Sequence, residues 1–175
     1  MHRGRFPPIR YAPVFCVLLL PGCTSAGRLH VVGPAAPASR ANTILVQVSS
    51  DVTDAEKEAI QLEATAAMIA REKLSNQRVL ARRNSPESIV DLRIEARIVH
   101  LEKVTAEARA LNSMLAGRAH LTVDVVVFDV AAKAVVGRFT AEGVSSVAGT
   151  TEQAIKRVAE QIVAFVADHF RKTTV

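Results

Sequence analysis

From Val90 to Leu101 the chain alternates clearly between two kinds of residue. Leu92, Ile94, Ala96 and Ile98 fall on one side, and Asp91, Arg93, Glu95 and Arg97 on the other. Successive side chains of a strand point to opposite faces, so a period of two with one charged face predicts a half-wet strand of the kind antiparallel sheets allow. Ala119 to Asp129 follows as a long β-branched strand, Ala131-Ala132-Lys133-Ala134 makes a turn, and Val135 to Val147 returns. Gly137 and Gly143 in the returning strand mark bulges or points of close backbone approach. The three segments together predict a meander.

Two helices flank this core. Asp54 to about Leu74 is rich in Ala, Glu and Lys, with Asp51 or Thr53 available as its cap. Its expected buried side carries Ile60, Ala64, Ala67 and Met68, with Glu56, Lys57 and Arg71 more exposed. The second helix starts at Gly149-Thr150-Thr151-Glu152-Gln153, where Thr150 and Gln153 have the spacing of a capping box. Ile155, Val158, Ala159, Ile162, Phe165, Val166 and Phe170 recur on one face and are expected to pack on the sheet. Arg171 and Lys172 suit the negative end of its dipole. Thr43 to Val48 and Gln77 to Ala81 read as shorter strands, Asn84-Ser85-Pro86 as a turn, and Glu102 to Gly117 as a connection with helical character. The order predicts an α+β domain: a mostly antiparallel sheet of four to five strands with two helices on one face.

The N-terminal region is of another kind. Arg3, Arg5 and Arg10 precede a short apolar run, Val14-Phe15-Cys16-Val17-Leu18-Leu19-Leu20, which ends in Pro21-Gly22-Cys23. A basic segment, about 7–15 apolar residues and then small residues is the layout of a secretory signal, and the run is too short to span a bilayer. The segment resembles a bacterial lipoprotein signal, with Leu20 and Gly22 in the lipobox places. The resemblance implies that Cys23 becomes the lipid-modified first residue. Thr24 to Asn42 is rich in Ala, Pro, Gly and Ser and reads as a tether. The expected organisation is therefore a signal at 1–22, a tether at 23–42 and a single domain at 43–175.

Cleavage before Cys23 would leave 153 of the 175 residues, enough for one domain to bury a core without staples. The formal charge of +5 would fall to +2, because three arginines and no acid leave with the signal. The basic balance thus belongs largely to the signal and gives no ground to expect a nucleic-acid partner. Cys16 and Cys23 are the two cysteines, so the domain has no thiol for a disulfide or a thiolate metal site. Its aromatic residues are Phe128, Phe139, Phe165 and Phe170, too few for the stacking platforms on which sugar and base recognition rely.

No constellation in the domain commits to chemistry. His100 and His120 lie on strands flanking one connection, and Glu102 or Asp124 is in reach of them; zinc needs three or four converging ligands, and surface histidines are the expectation. His169 is expected to serve the helix dipole. Ser49-Ser50 and Ser145-Ser146 lack a nucleophile-elbow context, and no phosphate-cradling glycine loop occurs. Asp124 and Asp129 read as a strand's polar face and a turn. Lys73, Arg78, Arg82 and Arg83 form a basic cluster, read as a solvated face. The expectation is therefore no catalytic residue, no cofactor and no metal.

One longer pattern runs from Val90 through Ala108-Arg109-Ala110-Leu111, Leu115-Ala116-Gly117-Arg118-Ala119 and Leu121 to Asp129 into Val135-Val136-Gly137-Arg138-Phe139. It resembles a family of bacterial envelope proteins known only as a domain of unknown function (4410-type). The likeness lies in the Gly-Arg-Ala entry to a long strand, the Phe-Asp-x-x-x-x-x-Val-x-Gly hairpin and the closing helix, over roughly residues 43 to 170. It implies a lipid-anchored accessory protein on the outer membrane, facing the periplasm, that binds another envelope protein and is not an enzyme. The alternative expectation is a module for a small hydrophobic ligand or lipid, since Leu121 to Phe128 is apolar on both faces.

Overall fold

A computed structural model describes residues 29–31, 41–81, 90–112 and 117–170. The described residues form a mixed sheet of six strands: β1 Leu29–Val31, β2 Thr43–Ser50, β3 Arg78–Ala81, β4 Leu92–Glu102, β5 His120–Asp129 and β6 Ala134–Val144. They lie in the order β1-β6-β5-β4-β2-β3. Three helices accompany them: α1 Glu56–Lys73, α2 Ala106–Asn112 and α3 Thr151–Phe170. The α+β class is as expected, with the meander β4-β5-β6 antiparallel throughout. β2 runs parallel to both its neighbours, and the 18-residue α1 supplies the crossover that a parallel β2–β3 pair requires.

Leu29–Val31 lie inside the stretch expected to act as a tether, yet they pair antiparallel with β6 and bring the strand count to six. Leu29-His30-Val31-Val32 is a short apolar, β-branched run that the surrounding Pro, Ala and Gly hide at the level of composition.

α3 lies on β6 and β5, α1 lies on β2 and β3, and the two helices pack side by side on the same face. Under them run three rows of fully buried side chains, including Ile44 and Val46 of β2, Ile94 and Ile98 of β4, and Val123 and Val125 of β5. The apolar stripe of α3 is buried as expected, and Phe165 sits at its centre, 1% exposed. Its ring centroid lies 4.2 Å from that of Phe139 on β6 and 4.2 Å from that of His169, which stacks on it at 26°. Tilted and offset aromatic pairs at such separations add to what area burial alone contributes.

The approach of α3 to the sheet rests on a glycine. A Cβ on Gly143 would come well under 3.0 Å from the backbone carbonyl oxygen of Ala154, an atom that can move only if the helix moves. One on Gly137 would meet the rim of the Phe165 ring at 3.0 Å. Of the two roles anticipated, Gly143 shows the close backbone approach, whereas Gly137 meets a side chain and adjoins a register shift of the β5–β6 ladder.

The expected face of α1 is corrected in part. Ala67 is buried as expected, together with Ala59, Leu62, Ala66 and Ala70, whereas Ala64 is exposed and Ile60 and Met68 are 40% and 62% exposed. The alanine row permits close packing against α3 and the sheet, and that outweighs burial of the larger side chains on the other side. Neither Asp51 nor Thr53 caps α1: the N-cap is Ala55, without a side-chain hydrogen bond, and the preceding Asp54 takes a left-handed φ of 60°. Lys103 ties this corner down, donating to the Asp54 carbonyl and, at 3.0 Å, to Glu58.

The capping box at α3 is likewise not made. Gln153 turns its amide oxygen to the Ser146 N–H at 2.7 Å, and the Thr150 hydroxyl donates to Glu152. The Thr151 hydroxyl instead accepts the Val104 N–H at 2.9 Å, joining the helix start to the residues that follow β4. At the start of α2 the Thr105 hydroxyl accepts the Ala108 N–H. There the Glu107 carboxyl is held below its ordinary range, first by a backbone N–H and then by the Thr105 hydroxyl.

Replacing Phe165 by Ala removes a ring from a closed core, a change that costs about 3–5 kcal/mol. The melting temperature should fall by on the order of 10 °C, and that of Lys156→Ala, an exposed residue of the same helix, should stay within about 2 °C of the parent. Thermal denaturation followed by circular dichroism distinguishes the two, and equal shifts would contradict the docking of α3. Gly143→Ala should also destabilise, by about 1–3 kcal/mol, because its methyl group collides with helix backbone.

Candidate functional site

The sheet's second face carries no helix among the described residues. The charged side of the β4 alternation points there, joined by Thr122, Asp124, Val126 and Phe128 of β5, all half-buried. Arg93 stretches its guanidinium 5.0 Å above the Phe128 ring centroid and pairs with Glu95 at 2.7 Å. Arg97 reaches Asp51 at 3.4 Å, and the Thr140 hydroxyl donates to Asp124 at 2.8 Å. Exposed ion pairs of this type contribute about 0–1 kcal/mol each, so they add little to the stability of the fold. They leave a mixed-charge surface with Val126 and Phe128 as apolar side chains between the charges.

One open depression lies in this surface and a second at the corner between β2 and α1. One, of about 290 Å³, is bounded by Gln47, Ser49, Glu95, Arg97, Asp124 and Val126. The other, of about 560 Å³, lies where β2 runs into α1, between Val48, Ser50, Val52, Asp54, Glu56 and Glu63. Its polar groups are partly committed to local structure: Glu63 accepts the Val48 N–H, and the Ser50 hydroxyl closes a turn with Val52. Of the β5 segment Leu121 to Phe128, whose apolar character on both faces raised the alternative of a ligand cavity, Leu121, Val123, Val125 and Val127 are buried in the main core, and Val126 and Phe128 are half-buried on the helix-free face.

Three of the residues singled out for possible chemistry have structural duties. Ser145 is completely buried; its hydroxyl accepts the Ala119 N–H at 2.9 Å and donates to the Ser146 carbonyl at 3.0 Å. Asp129 is 3% exposed and accepts the Ala132 N–H in the β5–β6 turn. His169 Nδ1 donates to the Phe165 carbonyl at 2.8 Å, near the C-terminal end of α3 as the dipole argument anticipated. Lys73 and Arg78 are exposed, while Arg82 and Arg83 lie outside the described residues, as does Cys23.

His100, Glu102 and His120, by contrast, come together, and Asp124 stays apart from them at its Thr140 contact. A register shift between Ile98 and His100 makes Val99 the bulged residue of β4. Plain alternation would have continued the apolar row Leu92, Ile94, Ala96, Ile98 into His100. The bulge reverses that phase and turns His100 and Glu102 to the helix-free face, where Glu102 stands opposite His120. The sequence carries one trace of this: a polar His100 at a position where the alternation demands an apolar side chain.

Comparison with known proteins places the fold. PelC from Paraburkholderia phytofirmans, solved as a dodecamer, is similar with a TM-score of 0.57 at 14% identity, over 85% of this chain and 100% of that one. A DUF330 protein from Xanthomonas campestris matches at 0.51 and 16% identity, over 77% and 88% of the two chains. A hypothetical protein from Chlamydia trachomatis matches at 0.50 and 11% identity, over 74% and 98%. These likenesses concern the fold. No protein-family model matches the chain, and no curated protein does.

Proposed function

We propose that this chain is a lipid-anchored accessory protein of the bacterial envelope, held to the outer membrane through Cys23, with a non-enzymatic domain in the periplasm that binds another envelope protein. The observation that carries the reading is the division of the sheet into two faces. One is covered by α1 and α3, and the other is charged, with an open depression, and without a helix among the described residues. Shallow, open surfaces with charges interspersed among apolar patches suit protein partners better than small ligands, which bind in concave, mostly apolar sites. Burial of Leu121, Val123, Val125 and Val127 in the core leaves Val126 and Phe128 as the apolar part of β5 on the open face, a small lining for a lipid.

The anchor has its support in Leu20-Pro21-Gly22-Cys23 behind a basic start. No described helix is long and apolar enough to cross a membrane, so attachment by lipid is the reading that accommodates both facts. Two or more acyl chains give stable anchoring, since each buried CH₂ contributes about 0.8 kcal/mol. The assembly of PelC as a dodecamer makes further copies of this same chain the first partner to test.

Cys23→Ser is the direct test of the anchor. The variant should leave the membrane fraction and take up no fatty-acid label, while native mass spectrometry of the parent should reveal a complex larger than one chain. A Ser variant that stays with membranes and labels like the parent would overturn the lipid attachment.

A further inference from the structure

The bulge at Val99 gathers three metal-ligating side chains at one end of the β4–β5 ladder. We propose that His100, Glu102 and His120 form a binding site for a divalent transition ion of the zinc class.

The backbone geometry is fixed by pairing. His100 and Glu102 are two residues apart on β4, and Glu102 is directly opposite His120 on β5. Directly opposed residues have Cβ atoms about 4.5–5.5 Å apart, and residues two apart on a strand share a face, so the three side chains converge without any loop having to move. One ligand atom from each residue lies within 4.8 Å of the others. His100 Nε2 is already 3.5 Å from Glu102 Oε1. Zinc holds nitrogen and oxygen ligands at about 2.0–2.2 Å, which in a tetrahedron places them roughly 3.3–3.6 Å from one another. One pair thus stands at the bound separation, and the remaining closure is within reach of ordinary side-chain torsion. The imidazoles meet edge to face, with centroids 5.4 Å apart and planes at 70°, so that neither ring blocks the other.

The second observation concerns His120. Its Nε2 is a buried polar atom with no hydrogen-bond partner among the described residues. A buried nitrogen left without a partner is costly, and a cation bound through that nitrogen would remove the cost. Lys103, next in sequence to Glu102, is engaged away from the cluster and gives its ammonium to Glu58 and to the Asp54 carbonyl. Glu102 and His100 are each other's partner, with side chains 61% and 51% exposed, an arrangement that contributes little to stability by itself. Two imidazoles with one carboxylate match the preference of zinc and its neighbours in the first transition row for borderline nitrogen donors. With three protein ligands the fourth position remains for water or for a group from outside the domain. The site faces the same way as the surface proposed to bind a partner, but its existence does not depend on that proposal.

The test uses the full chain purified without an affinity tag and stripped with a chelator. Isothermal titration with Zn²⁺ alone should give saturable binding near one ion per chain. His100→Ala and His120→Ala should each weaken it by on the order of tenfold or more, because two ligands do not close a zinc site. Asp124→Asn, on the same face but outside the cluster, should bind as the parent does. Independently of any variant, Zn²⁺ should move the ring resonances of His100 and His120 in the NMR spectrum of the parent protein and leave those of His169 unchanged. Absence of saturable binding by the parent, retention of full affinity by both histidine variants, or unmoved His100 and His120 resonances would each overturn the proposal.

Discussion

The seating of α3 on β6 is the contact on which the rest of the structure depends. Gly143 lets the Ala154 carbonyl come down to the sheet, Gly137 leaves room for the rim of Phe165, and Phe139 meets that ring from below. With α3 at this depth, the alanine row of α1 can reach it sideways, and the two helices close one face completely. Burial on the other face could then be relaxed, and charged residues at every second position of β4 became tolerable. A bulkier residue at 143 would raise α3 and open the core under both helices.

From that asymmetry follows the rest of the chemistry. β4 is the hinge of the design, since its alternation supplies the inner row of the core and the outer row of charges. The single extra residue at Val99 then breaks the alternation and presents His100 and Glu102 beside His120. A bulge in a long antiparallel ladder re-aims side chains without moving the strands that carry them. The same surface therefore combines a broad polar area, proposed to meet a partner, with a compact donor set at one end.

Much of this was legible in the sequence, because the strongest signals were periodic. The β4 alternation, the β-branched β5, the returning β6 and the stripe of α3 fixed element type and which side chains face inward. Phe165 and Ile162 needed no structure to be placed in the core. What escaped reading was decided by tertiary geometry. The buried face of α1 follows from how closely alanines pack, so Ile60 and Met68 point outward against a hydrophobicity count. Gln153 finds Ser146 rather than its own helix start because the chain before α3 folds back beside it. β1 is three residues long and exists through pairing with β6. The histidine cluster depends on a one-residue register shift, which propensity does not encode.

The central claim is that the helix-free face is the working surface of the domain. Site-specific photo-crosslinking in living cells tests it most directly, with a photoreactive residue placed at Arg97 on that face or at Met68 on the outer side of α1. Both positions are well exposed, so neither probe should disturb the fold. The account predicts a discrete crosslinked protein, another envelope component or a second copy of the chain, from position 97 and none from position 68. Crosslinks from 68 with none from 97 would put the interface on the helices and contradict it.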